Sequence, residues 1–342
     1  MAASLHQTSL VIDGLIISDF GRPVFEDMRK GGLTAANCTC SVWEGFTETM
    51  RNVMRWKAWF KENSDIITQV YTTADILKAK QEGKTGIILG WQNITGIEDQ
   101  IGYLGLFKEL GVGIIQMAYN TQNLVGTGCY ETRDGGLSDF GREVVAEMQR
   151  LGLLVDLSHV AVSTMNDALD VAQSPVIFSH SSTRALTDNP RNVPDDVLAR
   201  LAVNGGVCMV AFVPFFVSQE CTDWFNGLKA FAAGRGLDPD NLSALFGLVP
   251  DWQKGNPMPP ATISQVADHI DHVREVAGVA HVGIGADFDG SPFFPVGLND
   301  VSRYPALFHE LQRRHWSESD LKALAGANIL RTLRDAGSYA SA

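Results

Sequence analysis

The sequence predicts an α/β chain folded as one (β/α)8 barrel of the TIM type. Short runs rich in apolar and β-branched residues alternate with longer amphipathic stretches from one end of the chain to the other, the pattern of repeated strand–helix units with parallel strands. The runs number eight. Polar residues suited to chemistry stand at the carboxyl ends of several runs, which is where a barrel gathers its active site.

In order, the runs are Ser9–Ile16, Thr34–Ser41, Thr85–Leu89 and Gly113–Ala118, then Leu153–Leu157, Pro175–Ser179, Val207–Val213 and His281–Gly285. Most are nearly continuous in apolar residues, as expected of strands covered on both faces. Between them, Asp139–Leu151 places Phe140, Val144, Val145, Met148 and Leu151 on one helical face, with Ser138 as its N-cap and Gly152 as its stop. The stretch Pro194–Asn204 repeats the scheme, with an early proline and Gly205-Gly206 beyond its end. Two segments break the rhythm: an Asn-, Thr- and Gly-rich loop over 120–136 and a long proline-rich excursion over 214–260. Both follow strand ends and therefore lie over the active-site face.

A single domain over 1–342 fits this pattern, and 45% apolar residues provide a large core. The net charge of −12 excludes nucleic acid as a partner and disfavours anionic membrane surfaces. Met1–Ser9 lacks a basic-then-apolar leader, Leu333–Ala342 lacks a lipid-anchor signal, and no stretch approaches the roughly 20 apolar residues of a membrane span. A cytoplasmic location is expected. The five cysteines have no zinc-finger spacing and fit reduced thiols, with Cys38 and Cys40 on one strand face as buried small side chains.

The chemistry concentrates in three strings: LVDLSH with Asp156 and His159, VIFSH with His180, and GIGADFDG with Asp287 and Asp289. Two neutral imidazoles and a carboxylate at neighbouring strand ends suit zinc or a similar cation. His269 and His272, three apart on a helix, are expected on a solvated outer surface, and His281 at the opposite end of the barrel.

The blocks GREVVAEMQRLGLLVDLSHVAVSTM, PVIFSHSSTRAL, PRNVPDDVL, NGGVCMV, VGIGADFDG and AGANILR, with VIDG in the first strand, resemble the membrane (renal) dipeptidase family. The resemblance implies a metal-dependent, amidohydrolase-like barrel with two bridged zinc ions that hydrolyses dipeptides, and a homodimer. It implies that His159 and His180 bind one ion, and that Asp287 binds the other and moves the proton. It also implies that Arg191, with Asn192 beside it, holds the substrate carboxylate, a role suited to the guanidinium fork.

The sequence departs from the family at the other half of the metal centre. Leu15 and Ile17 stand where the family has the histidine and aspartate of its His-x-Asp, Gln92 stands for the bridging glutamate, and Tyr119 for a substrate-facing histidine. Two cations about 3.5–4 Å apart need anionic ligands to offset their repulsion. The expected centre is therefore one zinc ion on His159 and His180, completed by Gln92, water or Asp287, with Asp19, Glu98 and Glu131 as candidate substitutes. Trp91, Tyr119 and the 120–136 loop are expected to line the pocket. Two functions remain open: a dipeptidase working with one ion, or a non-catalytic member that binds a small carboxylated ligand.

Overall fold

The computed structural model describes residues 5–340; the extreme ends of the two terminal segments considered for targeting signals, 1–4 and 341–342, lie outside the described residues. Among the described residues nine parallel strands form: β1 (Ile12–Ile16), β2 (Ala35–Ser41), β3 (Ile67–Gln69), β4 (Thr85–Trp91), β5 (Val112–Gln116), β6 (Leu154–Asp156), β7 (Ile177–Phe178), β8 (Val207–Val210) and β9 (Val282–Ile284). Eight of them close a barrel in the order β1-β2-β4-β5-β6-β7-β8-β9, with β9 pairing back onto β1. Each of the eight expected strands is present. The ninth, β3, pairs with the first half of β4, whose second half pairs with β5. Its three residues are too short for an apolar period to show in sequence.

The barrel interior follows the two-residue period of its strands. Near their starts Ile12, Ala35, Ile88, Ile114, Leu154, Ile177 and Val207 form an apolar plug together with Ile329 and Leu330 of the C-terminal helix. Two residues further along, the inward positions become Asn37, Gln116, Asp156 and Ser179, all buried. Gly90 makes room for this polar layer, since a Cβ there would lie 1.8 Å from Asn37 Oδ1. Cys38 and Cys40 are buried on the outward face of β2, and all five cysteines are free.

The helix after the 120–136 loop spans Asp139–Arg150, and Ser138 accepts from Gly141 N as its cap. A second helix covers Asp195–Asn204 and stops at Gly205, whose φ of 83° suits glycine. The 214–260 excursion contains helices Pro214–Val217, Gln219–Ala233 and Leu242–Trp252. No helix among the described residues is long and apolar enough to cross a membrane.

Candidate active site

The centre of the barrel mouth is built from β6 and β7. The buried Asp156 carboxylate accepts from Ser158 N and Ser179 N, both at 2.9 Å, and from the Ser179 hydroxyl. Because the one Ser179 proton goes to Asp156, its Oγ must accept from His180 Nδ1–H, at 2.7 Å. On the neighbouring strand end, His159 Nδ1 lies 2.7 Å from Asn120 Oδ1, so that ring also carries its proton on Nδ1. The two Nε2 lone pairs are left facing each other at 2.9 Å. Burial and, to a smaller extent, the charge of Arg191 hold both imidazoles well below their ordinary pKa, so the rings are neutral donors.

Strain marks the same place. His159, Asn120 and Asp287 adopt φ of 65°, 62° and 59°. This left-handed region is uncommon for residues other than glycine and tends to cluster at functional sites.

Arg191 is 1% exposed. It donates to His180 O at 2.9 Å and to Ser181 Oγ at 3.2 Å, lies over the Phe216 ring, and leaves its Nε without a partner. It forms no ion pair among the described residues, and nearby Asp195 pairs with His272 instead. A buried guanidinium with no carboxylate is costly unless a ligand supplies one. Asp287, at the end of β9, has its pKa pushed up to about 7 by burial, against the opposing pull of Arg191.

Half-buried Tyr119 stacks on His159, ring centroids 4.0 Å apart, and meets Trp43 edge-on at 4.8 Å. Gln92 donates to Thr39 Oγ1 at 2.9 Å, tying its amide to β2. Asn192 does not present its amide to the mouth; it donates to Thr187 O and Phe216 O, both at 2.9 Å, and so secures the loop that carries Arg191. Trp91, expected in the pocket wall, is buried against Phe107 because alternate residues of β4 face outward into the helix layer.

Among the described residues the convergent donors are two imidazoles, which could hold an ion only with further ligands from water or substrate. His159 and His180 offer converging nitrogens with their tautomers fixed from behind, the outer-shell arrangement typical of metal-binding imidazoles. No group of three or more His, Cys, Asp or Glu side chains that could hold a metal forms among the described residues. Asp287 therefore does not form a three-ligand group with the histidine pair, although its charge is felt at Tyr119, which stacks on His159. The candidate substitutes do not join it either. Glu98 accepts from Phe46 N, Glu131 accepts from Gln122 N, and Asp19 is exposed.

Two features escape sequence reasoning. His269, expected on the surface, is buried: its Nδ1 accepts from Thr183 N at 3.0 Å, because that helix face packs on the loop after β7. Asp13, inside VIDG, accepts from Leu15 N, Ala286 N and the Tyr304 hydroxyl, joining β1 to the end of β9. Only an isolated acid within an apolar strand pointed to it.

A family model described as membrane dipeptidase (peptidase family M19) matches residues 22–342. An uncharacterized dipeptidase of Schizosaccharomyces pombe is 37% identical over 276 residues, 79% of this chain and 58% of that protein. A dipeptidase of Claviceps purpurea is 34% identical over 274 residues, 80% of this chain and 56% of that protein. The chain thus spans little more than half the length of these two relatives. A crystal structure of an amidohydrolase from Pseudomonas aeruginosa superposes with a TM-score of 0.83 at 41% identity, covering 97% of this chain and 98% of that one.

Proposed function

Because the chain belongs to the membrane dipeptidase family, we propose that it hydrolyses the amide bond of dipeptide-like substrates with one metal ion, zinc, at His159 and His180. The observation that carries this is Arg191, a buried guanidinium with no ion pair among the described residues, which donates to the backbone of one of two neutral, convergent histidines. A bound ion would supply Lewis acidity toward water and the scissile carbonyl.

The protein's own groups do the remainder. Arg191 takes the substrate carboxylate and thereby fixes which amide faces the histidines. Asp287, titrating near neutrality, takes a proton from the attacking water and returns it to the leaving amine. Asn120 and Ser179 hold the two rings so that both Nε2 atoms point at the same spot. Tyr119 covers His159 and limits access of bulk water.

Metal analysis of protein purified without chelator, followed by a dipeptide panel with and without added zinc, tests the proposal. Bound metal at one equivalent with zinc-dependent turnover is expected. Absence of both metal and turnover in every condition overturns it.

Leu15, Ile17 and Gln92 favour a second function, binding of a small carboxylated ligand through Arg191 without catalysis. Tight dipeptide binding by zinc-loaded protein with no turnover would select it.

A further inference from the structure

Beside the histidine pair, the 120–136 loop, the Gln219–Ala233 helix and the segment 238–243 leading into the Leu242–Trp252 helix enclose a cavity of about 360 Å³. Its walls are the rings of Trp43, Tyr119, Tyr130 and Phe225. Tyr119 and Asn120 are shared with the candidate active site, one stacking on His159 and the other bonding to it. Trp43 is 61% exposed, an indole left without a protein neighbour on much of its surface.

Three charged groups line the same cavity: Lys229, Asp238 and Asp240. The Lys229 ammonium is 2.7 Å from Asp240 and 4.5 Å from the centre of the Tyr130 ring, so one carboxylate is already neutralised. Asp238 forms no ion pair among the described residues, which leaves the cavity with one excess negative charge. Electron-rich ring faces and a carboxylate attract ammonium groups. Lys229 already places its own ammonium in this way on Tyr130, and the chain's net charge of −12 strengthens the attraction at long range.

We propose that this cavity is an ammonium-binding vestibule that receives the cationic end of the substrate while Arg191 holds its carboxylate. The substrate class is then a dipeptide-like zwitterion with a basic amino-terminal residue. The orientation relative to Arg191 rests on the hydrolase reading; the vestibule's preference for cations does not.

Calorimetric titration of metal-free protein with L-lysyl-glycine, glycyl-glycine and L-glutamyl-glycine tests it without turnover. L-lysyl-glycine is expected to bind at least about tenfold more tightly than L-glutamyl-glycine, with a preference that shrinks as salt is added. Asp238→Asn keeps the oxygen that accepts from Asp240 N at 2.9 Å and removes only the charge, so it is expected to fold normally and lose most of that preference. Equal or tighter binding of the glutamyl peptide, an unchanged preference in Asp238→Asn, or lysyl-glycine binding weaker than about 10 mM overturns the vestibule. Retained cation preference in a protein that never turns over would remove the hydrolase reading and leave the vestibule standing.

Discussion

The half of the barrel mouth built by β6, β7 and β9 retains a working set of polar groups, whereas the half built by β1, β2 and β4 presents Leu15, Ile17 and Gln92. In the first half, hydrogen bonds run inward from Asp156 and Asn120 and leave two imidazole nitrogens and one guanidinium nitrogen free to meet a ligand. In the second half, Asp13 bonds within the protein to backbone amides and Tyr304, and the Gln92 amide is engaged by Thr39. The difference teaches that supporting hydrogen bonds can leave donor atoms open toward a ligand on one side of a barrel mouth while the polar groups on the other side are consumed by bonds within the scaffold.

The most damaging way to break this comparison is to remove the two histidines proposed as ligands. His180→Ala or His159→Ala is expected to abolish metal retention and lower kcat/KM by about a thousandfold or more, while Leu15→Ala leaves metal content unchanged. Metal analysis of the three variants together with steady-state kinetics reads both effects.

Acid should unfasten the retained half from behind. Burial lowers the pKa of His269 from 6.5 to about 4, and its ring anchors Thr183 in the loop after β7. As pH falls, the unfolded chain takes up this proton first. The contribution is thus fully present above pH 6.5 and is lost as pH falls toward 4, up to about 3 kcal/mol. Chemical denaturation from pH 7.5 to 4.5 is expected to show this loss, and His269→Gln to flatten it; an unchanged slope would detach His269 from the acid response.

Arg191→Lys keeps the positive charge but loses the planar fork, and is expected to raise KM by about thirtyfold, near 2 kcal/mol, with a smaller change in kcat. A dominant fall in kcat would instead place Arg191 at the reacting bond. The mildest change sharpens the contrast from the other side. Gln92→Glu returns one carboxylate to the depleted half and is expected to tighten zinc about tenfold, measured by competition with a chelating dye. Unchanged affinity would show that Gln92 lies outside the reach of the ion.

Much of the barrel was legible in sequence because most of its eight strands carry a buried apolar run bounded by turn residues, a signal that survives in one dimension. The histidines and Asp287 were legible for a related reason: a polar residue ending an apolar strand breaks the pattern visibly. The supporting groups were not. Asn120 lies in a loop of similar residues, and nothing local distinguishes it from Asn123. Ser179 is an unremarked neighbour of His180 until Asp156 is brought to it from another strand. His269 sits at a helix position that reads as surface, and only the packing of the loop after β7 buries it.

The amino-acid sequence by itself determined the alternation of strands and helices, the polar residues at the strand ends, and the presence of Leu15, Ile17 and Gln92 as uncharged side chains at or just beyond the ends of the first and third runs. These are properties of residue type and spacing: the aliphatic side chains of Leu15 and Ile17 have no lone pairs and cannot bind a cation in any fold, and the amide of Gln92 brings no negative charge. Only the tertiary structure decided which nitrogen of each histidine is free, that Arg191 is buried with no ion pair among the described residues, and that Trp43, Tyr119, Tyr130 and Phe225 line one cavity. Those facts depend on contacts between segments tens to hundreds of residues apart, where proton placement and charge pairing are set by geometry that no local pattern encodes.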